Sequence, residues 1–512
     1  MMSTAIHPPL TGKKLVIGTI AVALATFMAV LDTTIAIVSI PVIAGDIGIP
    51  PNQGTWIIIV FVVANAITLP LTGWLTQRFG IVRLFVLSIV GFSITSFMCG
   101  VSPTVEVLLV SRFLQGAVSG PMIPLSQALL LSAFPKHKAG QALAIWSMTA
   151  VIAPVFGPIL GGIITDEYSW PWIFYINVPI GMIVAIVCWY IFNPRETPTK
   201  NIPVDLVGLI LLIVWVSALQ VMLENGLELN WFASGKITFL AATAALFLIM
   251  FVFWELTHHA PIVELRLFKR RNFIFSVLSL GVGYGLFLAT VVLIPLWLQT
   301  RMEYTATWAG YATAPIGFFA ILLSPWIGKK VGHMDSRILA TWSFIIFIIA
   351  MLMRTQFTLQ VDFISVMLPQ LVQGAAIALF FAPLTNLSLI GLKPHEIPLA
   401  SGLSNFIRIT CGAIFISIAT SLWDLRTSHH YARLMENITS QNFNVVSAKI
   451  QTVSTSNSSE LVIIERMVSD QAAMLALNDF FYIQSLSFLM LIVVVWGAPN
   501  RFKNQDQKNN GQ

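Results

Sequence analysis

Asp32 lies inside the largely apolar run from Leu15 to Ile43, in Leu31-Asp-Thr-Thr-Ile-Ala-Ile-Val-Ser-Ile-Pro41, where no water would solvate its carboxylate. Placing such a charge at a bilayer centre costs about 3 kcal/mol on insertion scales, so it is expected to face a protein interior and to handle protons or ions. Ala25, Ala29, Asp32, Ala36 and Ser39 share one helical stripe, and small residues mark a face where helices approach closely. A second stripe carries Arg112, Gln115, Gly116, Ser119, Ile123 and Ser126. At a rise of about 1.5 Å per residue, Arg112 and Asp32 sit at depths of roughly 10 and 16 Å, close enough for the long arginine or Gln115 to reach the acid. Asp32 and Arg112 are thus a proton-coupling pair, with Gln115 and Gly116 in support. The competing readings are a purely structural ion pair and an acid satisfied by Thr33 or Thr34.

The elements that must hold these groups are membrane helices. Hydrophobic residues make up 57% of the 512-residue chain and charged residues 10%, against roughly 25% charged in a soluble domain. Taking about 20 residues per span, fourteen apolar segments can be read, near 15–43, 55–76, 84–102, 105–132, 141–163, 171–193, 204–223, 235–258, 273–299, 306–326, 336–354, 362–390, 398–422 and 478–498. The first is too long for a signal peptide and lacks a small-residue cleavage site. An even count puts both termini on one side. With that side cytoplasmic, inner loops and tails hold 19 Lys/Arg and the outer side seven, Arg354 among them, four of the seven in one long loop. The net charge of +6 then reflects topology and anionic lipid, with no nucleic-acid partner.

An internal repeat relates the halves. Arg78-Phe-Gly80 is echoed by Lys330-Val-Gly332, Gln115-Gly116 by Gln373-Gly374, Pro124-Leu-Ser126 by Pro383-Leu-Thr385 and Pro135 by Pro394, at offsets of 252 to 259 residues. Two six-helix halves, 15–193 and 273–498, therefore flank an inserted helix pair at 204–258, with tails at 1–14 and 499–512. In duplicated transporters the central site lies where the halves meet. The halves differ in charge, because Arg112 corresponds to Gln370 and no acid in 273–299 matches Asp32.

Arg408, about ten residues into its helix, is a further intramembrane cation for substrate or structural pairing. Pro154, Gly157, Pro158, Gly161 and Gly162 read from spacing as a close helix crossing. Gly73 and Gly80 read as turn formers, and Arg78 and Arg83 as positive-inside anchors. Cys99, Cys188 and Cys411 lie in apolar runs, and neither a metal-ligand spacing nor a phosphate loop is present. No cofactor or metal is expected, and enzyme chemistry has no constellation to carry it. Transport would be secondary.

The chain resembles the major facilitator superfamily over essentially its full length, and within it the fourteen-helix drug:proton antiporters of the EmrB/QacA type, closest to EmrB-like multidrug export proteins. Leu31-Asp-Thr-Thr-Ile35 is similar to that branch's first-helix motif, Gly73-Trp-Leu-Thr-Gln-Arg-Phe-Gly-Ile-Val-Arg83 to the loop between helices 2 and 3, and Arg112-Phe-Leu-Gln-Gly116 to the fourth-helix motif. Ala153-Pro-Val-Phe-Gly-Pro-Ile-Leu-Gly-Gly162 resembles the antiporter motif of the fifth helix, and Trp172-Ile-Phe-Tyr-Ile-Asn-Val-Pro-Ile-Gly181 adds an EmrB-like match. The pattern has an acid where Gln77 stands, expected to make a charge contact between the halves on the cytoplasmic face, and the chain departs from it there.

The resemblance implies an all-α integral membrane protein of the major facilitator fold, exporting hydrophobic or amphipathic compounds from the bacterial inner membrane in exchange for protons. It makes the glycine-proline motif of the fifth helix a hinge and the 73–83 loop a cytoplasmic gate. It also implies a periplasmic adaptor and an outer-membrane channel as partners in a Gram-negative cell, with the long outer loop 423–477 as their contact. That loop holds polar runs such as Ser454-Thr-Ser-Asn-Ser-Ser459 and a more helix-like stretch from Glu460 to Ala476. A symporter for a specific metabolite, or a non-transporting sensor, are the alternatives.

Overall fold

The computed structural model describes residues 8–499 apart from 50–53, 55, 136–137, 201–202, 260, 332 and 437–459. Among the described residues the regular structure is helical, with one isolated bridge between Val331 and Met334. Hydrocarbon offers backbone N–H and C=O groups no partner, and a helix satisfies them within its own segment.

In the first half, α1 runs Gly12–Ile47, α2 Trp56–Phe79, α3 Ile81–Gly100, α4 Val105–Ser119, α5 Met122–Ala133, α6 Ala139–Glu167, α7 Trp172–Tyr175 and α8 Asn177–Phe192. The inserted pair is α9 Leu206–Asn225 and α10 Gly235–Thr257. The second half comprises α11 Arg271–Arg301, α12 Ala306–Thr313, α13 Ile316–Lys330, α14 Ser336–Arg354, α15 Phe363–Ala378, α16 Phe381–Leu389, α17 Ile397–Glu436 and α18 Glu460–Trp496. Twelve helices among the described residues are long and apolar enough to cross a membrane. The segments expected to span at 105–132 and 141–163 are also helical, as α4 with α5 and as α6. The fourth segment of each half is split at the corresponding place, α4 from α5 and α15 from α16. Pro124 and Pro383 sit in the first turn of the following helix, where a missing N–H costs nothing.

The repeat is visible in packing. A Cβ on Gly116 would collide with the Phe61 carbonyl, and one on Gly374 with the Ile316 carbonyl, so the same close crossing recurs in each half. The Arg78 guanidinium lies 5.6 Å from the Trp74 ring, as the Lys330 ammonium lies 3.8 Å from Trp326, a cation–π pair at equivalent positions. Each half has its own apolar core. The inserted α9 and α10 close one side of the seam between halves by packing on α2, α11 and α17, whose joint cluster includes Leu211, Trp215, Phe251 and Phe406.

Two expectations change in detail. Arg354, counted among the outer loop cations, is fully buried at the end of α14. The segment 423–477 is substantially helical: α17 continues to Glu436, and the stretch from Glu460 read as helix-like is the beginning of α18. At 40 and 37 residues these helices exceed a single span, since a hydrocarbon core of about 30 Å needs about 20 residues. Their extensions are tied by Trp423 Nε1 donating to the Ala473 carbonyl at 2.9 Å and by His430 Nε2 at 2.9 Å from Asp479 Oδ2. The Ser454–Ser459 run lies outside the described residues.

Candidate functional site

The small-residue stripe of α1 is buried along its length, which turns Asp32 into the bundle at 2% exposure. Its carboxylate meets α4 and α8. Arg112 Nη1 donates to Asp32 Oδ2 at 2.6 Å, Gln115 Nε2 to Oδ1 at 3.0 Å, and Asn177 Nδ2 to the same oxygen at 2.9 Å. The adjacent hydroxyl of Thr34 is engaged elsewhere, donating to the Leu31 carbonyl at 3.0 Å. A layer behind the donors fixes their orientation. Arg112 Nη1 also donates to Gln115 Oε1 at 2.6 Å, and Arg112 Nε to the Ile57 carbonyl at 3.2 Å. Ser96 Oγ accepts from Gln115 Nε2 and Asn177 Nδ2 at 3.2 and 3.1 Å, then donates to the Phe174 carbonyl at 3.0 Å. The guanidinium carbon lies 4.3 Å from the Phe61 ring centre and 5.5 Å from that of Phe174.

This arrangement has a definite electrostatic logic. A buried pair survives loss of water only when its lone pairs and donors are otherwise satisfied, and here both carboxylate oxygens are. Arg112 Nη2 is the exception, buried without a hydrogen-bond partner. Taking up a proton at Asp32 would cancel the charge that three donors are aimed at and force the cluster to rearrange. The carboxylate ties α1, α4 and α8 together through hydrogen bonds aimed at its charge.

The glycine-proline segment of α6 packs directly on this part of α1. A side chain on Gly157 would collide with Thr34, and one on Gly161 would lie 3.1 Å from the Ile35 carbonyl, whereas Gly162 faces open space. Gly157 and Gly161 are thus the close-contact positions; the side chains of Pro154 and Pro158 lie outside the described residues.

The 73–83 loop separates into two jobs. Gly73 meets the other half, where a Cβ would come within 2.5 Å of Leu399 Cγ. Gly80 adopts φ +89°, and any side chain there would strike the Glu196 carboxylate. That carboxylate accepts from the Val82 and Arg83 N–H groups at 3.0 and 2.8 Å and so caps the start of α3. At Gln77, where the family pattern has an acid, the backbone carbonyl accepts from the Lys200 N–H at 2.7 Å. Glycines make close crossings between the halves: a Cβ on Gly140 would come within 2.5 Å of the Gly328 and Val331 carbonyls, and one on Gly402 within 2.8 Å of the Leu69 carbonyl.

Comparison with known proteins agrees with this architecture. The Major Facilitator Superfamily model matches residues 22–416. The chain belongs to the major facilitator superfamily. It is 46% identical over 503 residues to the multidrug export protein EmrB of Haemophilus influenzae, covering 97% of this chain and 98% of that one. It is 45% identical to EmrB of Escherichia coli K12 over 96% of this chain and 97% of the other, and 44% identical to the fatty acid resistance protein FarB of Neisseria gonorrhoeae over 97% and 98%. The crystal structure of the human organic anion transporter MFSD10 (TETRAN) superimposes with a TM-score of 0.56 at 13% identity, covering 93% of this chain and all of that one, a likeness of fold alone. The protein is a multi-span EmrB-like transporter, homologous to bacterial inner-membrane exporters, and not an enzyme.

In this superfamily member the structure brings Asp32, Arg112 and Gln115 together, packs Gly116, Gly157 and Gly161 against neighbouring helices, and leaves Gly162 apart. Three residues of consequence were not singled out from the sequence. Asn177 lies inside the quoted 172–181 motif, and Ser96 is an inconspicuous serine on a third helix. Arg354 is the third. Subtracting the 258-residue offset puts it on Ser96, and it bonds to the repeat partners of Arg112 and Gln115, donating from Nη2 to Gln370 Oε1 at 3.0 Å and to Gln373 Oε1. The second half thus keeps the polar cluster with an inverted arrangement: the cation is on the third helix and the glutamines are on the fourth.

Proposed function

We propose that this protein is a proton-coupled secondary antiporter that exports hydrophobic or amphipathic compounds across the bacterial inner membrane. The observation that carries the proposal is the buried Asp32–Arg112 pair with both carboxylate oxygens occupied, a cluster on three helices whose hydrogen bonding depends on one proton. The names of relatives supply the substrate range, since two are multidrug export proteins and one is a fatty acid resistance protein. Fourteen transmembrane helices with both termini cytoplasmic fit the basic-residue asymmetry, once 105–133 and 139–167 are added to the twelve spans. Purified protein in vesicles should drive efflux of an amphipathic dye when, and only when, an inward-directed proton gradient is imposed; efflux indifferent to that gradient would refute the coupling.

The long extensions of α17 and α18 support a reading of the partners. As the EmrB resemblance implies, the protein would be the inner-membrane part of a tripartite pump, with these helical extensions touching a periplasmic adaptor that leads to an outer-membrane channel. Photo-crosslinking from positions in 423–436 and 460–477 in whole Gram-negative cells should trap the adaptor. Resistance unchanged after deletion of these extensions would contradict that role.

A further inference from the structure

Four arginines among the described residues are buried: Arg112, Arg337, Arg354 and Arg408. The first is paired with Asp32, the second with Asp335 at 2.6 Å, and the third with two glutamine carbonyls. Arg408 differs. It is 4% exposed, its buried Nε has no hydrogen-bond acceptor, and among the described residues its guanidinium has neither a carboxylate nor a carbonyl partner. What surrounds it is aromatic: the guanidinium carbon lies 5.0 Å from the Tyr284 ring centre, 5.5 Å from Trp146 and 5.7 Å from Phe381.

These rings come from both halves. Trp146 is on α6, held by its Nε1 donating to Ser126 Oγ at 3.1 Å, while Tyr284 and Phe381 are on α11 and α16 and pack edge to face with centres 5.8 Å apart. Glycines let α17 pack closely on α11, since a Cβ on Gly281 would meet Cys411 Sγ at 3.1 Å and one on Gly285 the Cys411 carbonyl at 2.8 Å, and Gly402 brings the start of α17 against the first half, where a Cβ would lie 2.8 Å from the Leu69 carbonyl. Ring faces attract a desolvated cation but supply no counter-charge, so they offset only part of what burial of the guanidinium costs. The residue that would complete the site is an anion.

We infer that Arg408 with Trp146, Tyr284 and Phe381 forms a binding site for a singly charged organic anion, a carboxylate carried on a hydrophobic body. One guanidinium balances one negative charge and matches the two oxygens of a carboxylate. The aromatic faces accept the apolar remainder of the molecule. Arg408 also lies eleven residues along α17 from Ile397, about 16 Å of rise, deeper than the headgroup of a two-chain lipid reaches. The site rests on the export reading above for its role, and it stands on different helices (α6, α11, α16 and α17) from the Asp32 cluster (α1, α4 and α8), so proton and substrate have separate charged anchors.

The test uses the full-length protein in nanodiscs of phosphatidylcholine and measures binding of radiolabelled dodecanoate without any proton gradient. Saturable binding is expected, displaced by other long-chain carboxylates and not by dodecyltrimethylammonium or dodecanol. Arg408→Gln should weaken it by at least about tenfold, the scale on which a hydrogen bond to a charged group contributes, and Arg408→Lys should fall in between. Wild-type affinity in Arg408→Gln would overturn the site. So would equal displacement by the ammonium compound, a result that needs no variant to fold. Dodecanoate failing to bind in pure phosphatidylcholine, with phosphatidylglycerol binding in its place, would assign Arg408 to lipid and also overturn it. Because no gradient is used, carboxylate binding that persists in a protein unable to pump would refute the export reading and leave this one standing.

Discussion

Asp32→Asn should reduce proton-driven efflux to the level of protein-free vesicles. Asparagine keeps the shape of the side chain and one oxygen able to accept from Gln115 or Asn177, but it can neither carry the negative charge nor exchange the proton. Arg112 is then left as a buried cation without its partner. Breaking a buried pair from one side costs about 3–5 kcal/mol, so the variant should also be less stable, seen as a lower thermal midpoint in nanodiscs. Loss of function and loss of stability must be separated. The double variant Asp32→Asn/Arg112→Gln removes both charges and should recover most of the stability without recovering efflux; if the double variant pumps, the pair is structural.

Arg112→Ala should be the more damaging single change. It deletes the donor at 2.6 Å from Asp32, the bond to the Ile57 carbonyl and the cation–π stacking on Phe61. Asp32 keeps Gln115 and Asn177 but becomes an unpaired charge, and a stability loss of about 3–5 kcal/mol is again expected. Arg112→Lys separates charge from geometry. A lysine restores the positive charge, yet a compact ammonium cannot reach Asp32, Gln115 and the Ile57 carbonyl together as the planar guanidinium does. Stability should therefore recover further than transport does. Equal recovery of both, measured by thermal midpoint and by initial efflux rate at matched expression, would show that Arg112 acts only as a counter-charge.

Much of this was legible in the chain because membranes make the alphabet simple. A carboxylate in an apolar run has few places to go, and small residues three and four apart name the face that points inward, so Asp32, Arg112 and Gln115 could be placed on one site from spacing alone. The repeat was equally readable, since Gly116 and Gly374 perform the same steric task in each half. Polar residues without charge were harder. Asn177 and Ser96 look like ordinary helix residues until the fold brings them from α8 and α3 to the same carboxylate. Arg354 was misplaced because a cation at the end of an apolar segment resembles a loop anchor; its glutamine partners lie 16 and 19 residues further along, on another helix. The loop motif added a steric feature that spacing did not show, because Gly73 lies where a Cβ would meet Leu399 of the other half, while Gly140 and Gly402 make similarly close crossings elsewhere along the seam.

The central claim is that one proton at Asp32 is exchanged against substrate. The measurement that reaches it most directly is proton release on adding substrate to purified protein in weakly buffered solution, read with a pH indicator, for the wild type and for Asp32→Asn. The wild type should release a proton in saturable fashion as substrate binds, and Asp32→Asn should bind the same substrate and release none. Undiminished proton release from Asp32→Asn would contradict the account and move the coupling group elsewhere in the chain.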